Sequence, residues 1–269
     1  MLVLLVCAIA AVVAMTLAWV VVRLAGDGGW TDAVWTLSVG LIGAGAALWP
    51  AAGGSGARQA LVAVLIGLWA ARLGGYIALR TARAAEPDPR YQRFRRQWGG
   101  WGLKAWGFLM IQAATVVVLV TSVWAAAVRP AVDLDWRDAL AVLIVVIAVA
   151  GEALADRQMA AFRHDPANKG KVANVGLWAW SRHPNYFFEW TVWLAWPVMA
   201  LDVAHLISWL TLLAPAMMWH LLNHVSGVPM LEAQMLASRP EAYRDYQARV
   251  SRFVPLPPTL VQPGRSHPR

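Results

Sequence analysis

Between Glu152 and Trp193 the chain sets acids, bases, an amide and a large aromatic at spacings that suit a phosphate-bearing ligand. Glu152 and Asp156 stand four apart, as do Asn185 and Glu189, with Trp193 four further on. Residues four apart share a helix face. Arg163, Lys171 and Arg182 lie between the two pairs, and such cations hold phosphate oxygens. Carboxylates and the Asn185 amide suit ribose hydroxyls and a carboxamide, and a tryptophan stacks on a flat ring. Pro184 fits the first turn of a new helix. The competing reading is a loop that is basic only to orient the chain in a membrane. That role needs charge alone, and this stretch adds spaced acids and an amide. Neither a Gly-x-Gly-x-x-Gly fingerprint nor a P-loop occurs, so a nucleotide here is not held in the Rossmann or Walker manner.

Further ionisable residues fall inside apolar segments, where they are costly and mark sites by default. Asp32 opens one segment in Trp30-Thr31-Asp32-Ala33-Val34-Trp35, and Arg72 and Tyr76 share a face of the next. Asp32 has two readings. As a helix cap it satisfies backbone N–H groups; as an acid in an apolar pocket it donates to a substrate carbonyl beside Tyr76. Arg72 reads equally as a partner for a carboxylate, and Tyr76 as an interfacial aromatic.

The elements that position these residues are membrane helices. Of 269 residues, 59% are hydrophobic, 14% are charged and 17 are tryptophan. A soluble domain of this length cannot bury so much apolar surface. Seven apolar segments, at 2–24, 32–49, 59–77, 105–128, 140–155, 186–201 and 205–222, mostly approach the ~20 residues a crossing needs. The first has no basic leader and is long for a signal peptide. The net charge of +8 is unevenly placed: segments 80–104 and 157–182 and the tail from 239 hold eighteen of the 23 basic residues, while the opposite connections hold Arg58, Arg129 and Arg137. Basic loops stay cytoplasmic. The expectation is therefore an all-α integral membrane protein with seven transmembrane helices, N-terminus outside and C-terminus cytoplasmic. Residues 1–258 form one domain and 259–269 a disordered tail. Nucleic acid loses its only support, the charge. Cys7 has no second cysteine to pair with, and no metal site is expected.

Ser181-Arg182-His183-Pro184-Asn185-Tyr186-Phe187-Phe188-Glu189, with the lead-in Gly176-Leu177-Trp178, resembles the C-terminal region of the steroid 5-alpha-reductase family. It is most similar to a bacterial branch long carried as a domain of unknown function. Asp88-Pro89-Arg90-Tyr91-Gln92 and Arg96-Gln97-Trp98-Gly99 fit that branch too. The resemblance implies a seven-helix membrane reductase whose NADPH site is lined by Glu152, Asp156, Arg163, Lys171, Asn185, Glu189 and Trp193. Arg182 and His183 come with the signature, Tyr246 and Pro255 match the closing pattern, and Glu232 and His224 fall where family residues approach the cofactor. Two departures stand out. Phe188 replaces a usual glycine, and only Asp32 and Tyr76 lie near the family's substrate-binding positions on its second and third helices.

The function expected is NADPH-dependent reduction of an enone carbon–carbon double bond in a hydrophobic, steroid-like molecule. The runner-up is an S-adenosylmethionine-dependent methyltransferase of the isoprenylcysteine carboxyl or phospholipid type. Those enzymes share an Arg-His-Pro-x-Tyr element, here Arg182–Tyr186, and a later acid, for which Glu232 would serve. A non-catalytic lipid-binding scaffold is the third class, and it has no need of the polar cluster. The partners expected are the hydrophobic substrate and membrane lipid, with a monomer in the bacterial inner membrane and the cofactor site on its cytoplasmic face.

Overall fold

The computed structural model describes residues 2–50, 55–130 and 133–257, and among them the chain is helical. The glycine-rich stretch at 51–54 and the tail from 259 lie outside the described residues. Five helical runs are long and apolar enough to cross a membrane: Leu2–Ala25 (α1), Gly56–Arg83 (α3), Leu103–Ala127 (α5), Trp136–His164 (α6) and Leu206–Ser238. The chain is thus built as a membrane protein. The second expected segment is helix α2, Trp30–Ala47, which is short and diluted by Asp32, two tryptophans and three glycines. The sixth is broken into α7, Pro184–Trp193, and α8, Ala195–Ala200. Pro197 explains the break, because a proline cannot donate to the carbonyl four residues back and its ring clashes there; that residue is Trp193. The last run is composite: a 3-10 stretch Leu206–Leu212, α9 Leu213–His220, a π turn Leu221–Val225 and α10 Val228–Ser238.

One helix lies inside an expected loop. The connection 80–104 contains α4, Pro89–Trp98. The Asp88 carboxylate accepts from the Arg90 backbone N–H at 2.9 Å, Pro89 takes the first turn, and Gly99 ends the helix in the left-handed region.

The chain divides into two compact units. The first comprises Met1–Val142 and Leu194–Ala214. Here α1 packs on α2 and α5, and α2 on α3 and α5. Helix α1 buries Val3, Cys7, Ala11, Met15, Ala18 and Val22, a stripe at three- and four-residue spacing. At one end of this unit the Trp19 indole donates to the Trp101 carbonyl at 2.9 Å, the Trp106 indole donates to Thr16 at 3.3 Å, and Asp27 accepts from the Asp88 N–H at 3.3 Å. At the other end Arg58 is fully buried and donates to Asp138 at 2.9 Å. Arg129 meets Asp135 at 2.7 Å and Asp138 at 3.1 Å, and also donates to the Met199 carbonyl at 2.6 Å. Successive helices α1, α2, α3 and α5 therefore run up and down.

The second unit comprises Leu143–Trp193 and Pro215–Arg269. It contains the far half of α6, α7, the chain from Pro215 through α10, and α11, Pro240–Arg249. Phe187, Trp190, Trp219 and Phe253 pack mostly edge to face, with ring centroids 5.0–6.3 Å apart. A second cluster joins Tyr243, Tyr246 and Val250 to Val172, Met235 and Leu236.

Candidate functional site

In the second unit the Ser181–Glu189 segment is gripped by the end of the chain. Arg182 donates to Glu232 at 2.7 Å and to the carbonyls of Gln247 and Val250 at 3.0 and 2.8 Å. The same Glu232 oxygen faces the His183 Nε2 at 3.3 Å and accepts from the Tyr243 hydroxyl at 3.4 Å, while its other oxygen accepts from Gln247 at 2.9 Å. Ser181 donates to the Phe253 carbonyl at 2.8 Å, and Tyr246 to the Trp178 carbonyl at 2.5 Å. Burial pushes the His183 pKa below the usual histidine value, against the opposing pull of Glu232. It pushes the Tyr243 and Tyr246 phenols up, the Glu232 charge adding to the first and Tyr243 to the second. All three rings are therefore neutral near pH 7. Arg182, His183 and Glu232, named above with Tyr246 as cofactor-lining candidates, bond one another, and Tyr246 bonds a backbone carbonyl. Tyr243 and Gln247 complete the clamp and carried no signal beyond their place on one amphipathic helix.

The remaining candidates behave differently. Among the described residues, the side chains of Arg163, Lys171 and Asn185 have no hydrogen-bond or ion-pair partner. Arg163 and Lys171 are exposed and Asn185 is half-buried. Arg163 sits in the last turn of α6, where the helix dipole favours a cation. Glu189 and Trp193 are buried on one face of α7, and the Trp193 indole donates to the Glu189 carboxylate at 3.1 Å. Glu152 is buried in α6, with Asp156 half-buried one turn on. His224 is exposed in the π turn, its ring 5.6 Å from that of His220; π turns inside helices recur at functional sites. The unusual Phe188 is accommodated by Gly151 on α6. A Cβ at residue 151 would lie 2.5 Å from the Phe188 ring, so glycine there makes the room that phenylalanine takes.

In the first unit Asp32 is not a cap. Gly29 holds the cap position of α2 without a side-chain bond. Asp32 instead accepts from the Tyr91 hydroxyl at 2.6 Å and pairs with Arg90 at 2.8 Å. Arg90 also pairs with Asp88 at 2.7 Å. Burial, then the charge of Asp32, raises the Tyr91 phenol well above its usual value, so it stays a donor. Gly28 makes the seat, since a Cβ there would come within 2.3 Å of the Tyr91 Cβ. Tyr76 is 39% exposed, with the Arg72 and Arg80 guanidiniums 5.8 and 6.0 Å from its ring centre. Arg90 and Tyr91 are the functional-looking residues the site reading passed over, although the Asp88–Gln92 motif contains both.

The chain belongs to the family described as protein of unknown function (DUF1295), which it matches over residues 18–250. An uncharacterized protein of Schizosaccharomyces pombe is 34% identical over 97 residues, covering 35% of this chain. The match spans 27% of that relative's own length. No solved structure matches.

Proposed function

We propose that this protein is a membrane-embedded, NADPH-dependent reductase of an enone carbon–carbon double bond in a hydrophobic, steroid-like substrate. The observation that carries the reading is a division within the signature region. Arg182, His183, Glu232 and Tyr246 spend their hydrogen bonds on one another and on backbone, whereas Arg163, Lys171 and Asn185 hold theirs in reserve. Two unspent cations and an amide at a helix start fit the phosphates and carboxamide of a dinucleotide. NADPH, when bound, supplies the hydride. Arg163 and Lys171 hold its phosphates, Asn185 a polar edge, and the clamp fixes the start of α7 that carries Asn185 and Glu189.

Polarising the substrate carbonyl falls to the group around Asp32. Asp32 takes the single proton of the Tyr91 phenol, so the donor left for a substrate is the Arg90 guanidinium, which Asp32 and Asp88 hold in place. Tyr76 is the phenol of the reading. Donors fixed at an oxygen that gains charge during hydride addition lower the barrier to the enolate.

The methyltransferase reading needs Glu232 as a ligand-holding acid. Glu232 is instead engaged by Arg182, His183, Tyr243 and Gln247, which withdraws it as a ligand-holding acid from both readings and leaves the reductase reading on Arg163, Lys171 and Asn185. The same reading sets seven crossings, with α2 and α7–α8 among them, the N-terminus outside and the cofactor residues on the cytoplasmic face. The internal neutralisation of Arg58 and Arg129 by Asp135 and Asp138 supports it, because it removes free positive charge from the outer end. The test is nucleotide binding to detergent-purified protein. NADPH binds and S-adenosylmethionine does not; Asn185→Ala weakens NADPH binding, and Arg163→Ala costs more for NADPH than for NADH if it meets the 2′-phosphate. Binding of S-adenosylmethionine alone refutes the reading.

A further inference from the structure

Helix α4 leaves most of its positive charge unspent, at one end of the first unit. Arg93, Arg95 and Arg96 on α4, Arg83 at the end of α3 and Lys104 at the start of α5 are exposed. None of the five has a hydrogen-bond or ion-pair partner among the described residues. Arg80 and Arg23 add to the same end, their guanidiniums lying 6.0 Å from the Tyr76 ring centre and 4.7 Å from that of Trp19. Of the four acids from Asp27 to Asp88, Glu86 is exposed and carries a counter-charge, and the other three are engaged. Asp32 and Asp88 are taken by Arg90, and Asp27 accepts backbone N–H groups from Gly29 and Asp88.

The opposite face of α4 is aromatic and already partnered. Phe94 stacks on Trp98 at 5.1 Å, and both rings pack on Phe108 of α5 at 5.7 and 5.5 Å. With Tyr91 pinned to Asp32, the helix cannot roll, and the arginine face is held outward. Apolar surface lies beside the charges: Leu103 is 80% exposed and Trp106 is 36% exposed. Helices α3 and α5 both meet the length and hydropathy of membrane crossings, so a ten-residue helix joining their ends lies at headgroup level.

We propose that this end of the first unit is a binding site for anionic phospholipid. The phosphodiester sits against Arg93, Arg96 and Lys104, and the acyl chains run down past Leu103 and Trp106. Clusters of basic residues beside a membrane helix attract anionic headgroups, each base contributing to the selectivity; aromatic and long cationic side chains settle at the same interface. The site is independent of the reductase reading and uses none of its residues.

Native mass spectrometry of the detergent-purified full chain tests it, with dioleoylphosphatidylglycerol and dioleoylphosphatidylcholine as probes at equal concentration. Phosphatidylglycerol adducts exceed phosphatidylcholine adducts by on the order of tenfold. The preference falls towards unity in Arg93→Gln/Arg95→Gln/Arg96→Gln and weakens at high salt. An excess of inorganic phosphate leaves it intact, since the acyl chains share in the binding. Equal adducts of the two lipids on the wild type overturn the proposal. So does a preference that survives in the triple variant, or one abolished by inorganic phosphate, which would mark a plain anion site. A triple variant that keeps its phosphatidylglycerol adducts but loses NADPH binding assigns the arginines to the nucleotide and overturns the proposal as well. If the triple variant does not fold, Arg93→Gln/Lys104→Gln carries the same comparison.

Discussion

Asp32 accepts from two α4 residues at once, and an Asp32→Asn substitution separates orientation from charge. The amide would keep one acceptor oxygen but lose the ion pair with Arg90. Because Gly29 is the cap, α2 does not depend on Asp32 to start. Asp32→Asn is therefore expected to leave NADPH affinity unchanged and to lower enone turnover by roughly 10²-fold, in the range of a lost transition-state donor. Steady-state kinetics on the purified variant checks this, and near wild-type turnover would move the carbonyl-holding role to Tyr76. His183 gives a prediction in pH. Burial holds its pKa below the unfolded value, so its contribution to stability is fully present above about pH 6.5 and is lost as pH falls through the folded value. The melting temperature is expected to be flat above that pH and to decline below it, with the decline reduced in His183→Gln. A decline of equal size in the variant would clear His183. At this scale the sequence showed the Arg182-His183 signature but not its convergence with Glu232 and Tyr246, which lie far along the chain. It could not separate clamp from ligand-ready residues, because that depends on which carbonyls and carboxylates the fold brings to each side chain. Arg90 and Tyr91 lie some sixty residues beyond Asp32 in a charged stretch, and only the fold pairs them with it.

Among the elements, α6 and α7 illustrate a compensation that residue types alone do not reveal. Phe188 looked like an intrusion where a glycine is usual. Gly151 on the neighbouring helix absorbs it, leaving no space for a methyl group at residue 151. Gly151→Ala is expected to destabilise the protein by about 1–3 kcal/mol through overpacking, measured by thermal unfolding in detergent. Adding Phe188→Ala should recover part of that loss, a coupling typical of residues in contact. Additive losses would show that the two do not share the space. The long helices were readable because uninterrupted apolar runs of crossing length have one stable form in lipid. Helix α4 lies in a segment whose sequence is dominated by charge, although Asp88-Pro89 before it and Gly99 after it are ordinary start and stop signals. The break at Leu194 traces to Pro197, three residues beyond it, and a count of apolar residues passes over it.

For the whole molecule, the distribution of basic residues sets the expected topology. Arg58, Arg129 and Arg137 are the exceptions to the one-sided pattern, and each is engaged internally; Arg137 donates to the Leu201 carbonyl at 3.1 Å. A reporter fused after Pro257 is expected to read cytoplasmic and one at the N-terminus periplasmic, and both reading the same side would refute seven crossings. The engagement of Arg58 and Arg129 by Asp135 and Asp138 was not legible from sequence, since Asp135 precedes α6 and Asp138 lies in its first turn, and only the fold brings them to the two arginines. The central claim is hydride transfer from NADPH to an enone, and isotope transfer tests it most directly. Purified protein is incubated with NADPH carrying deuterium at the transferable C4 position and a 3-oxo-Δ4 steroid, and the steroid is analysed by mass spectrometry. The account predicts a saturated ketone bearing one deuterium at the former β carbon, formed with consumption of NADPH and absent when S-adenosylmethionine replaces it. An unreduced steroid across enone substrates, with NADPH neither bound nor consumed, would contradict it.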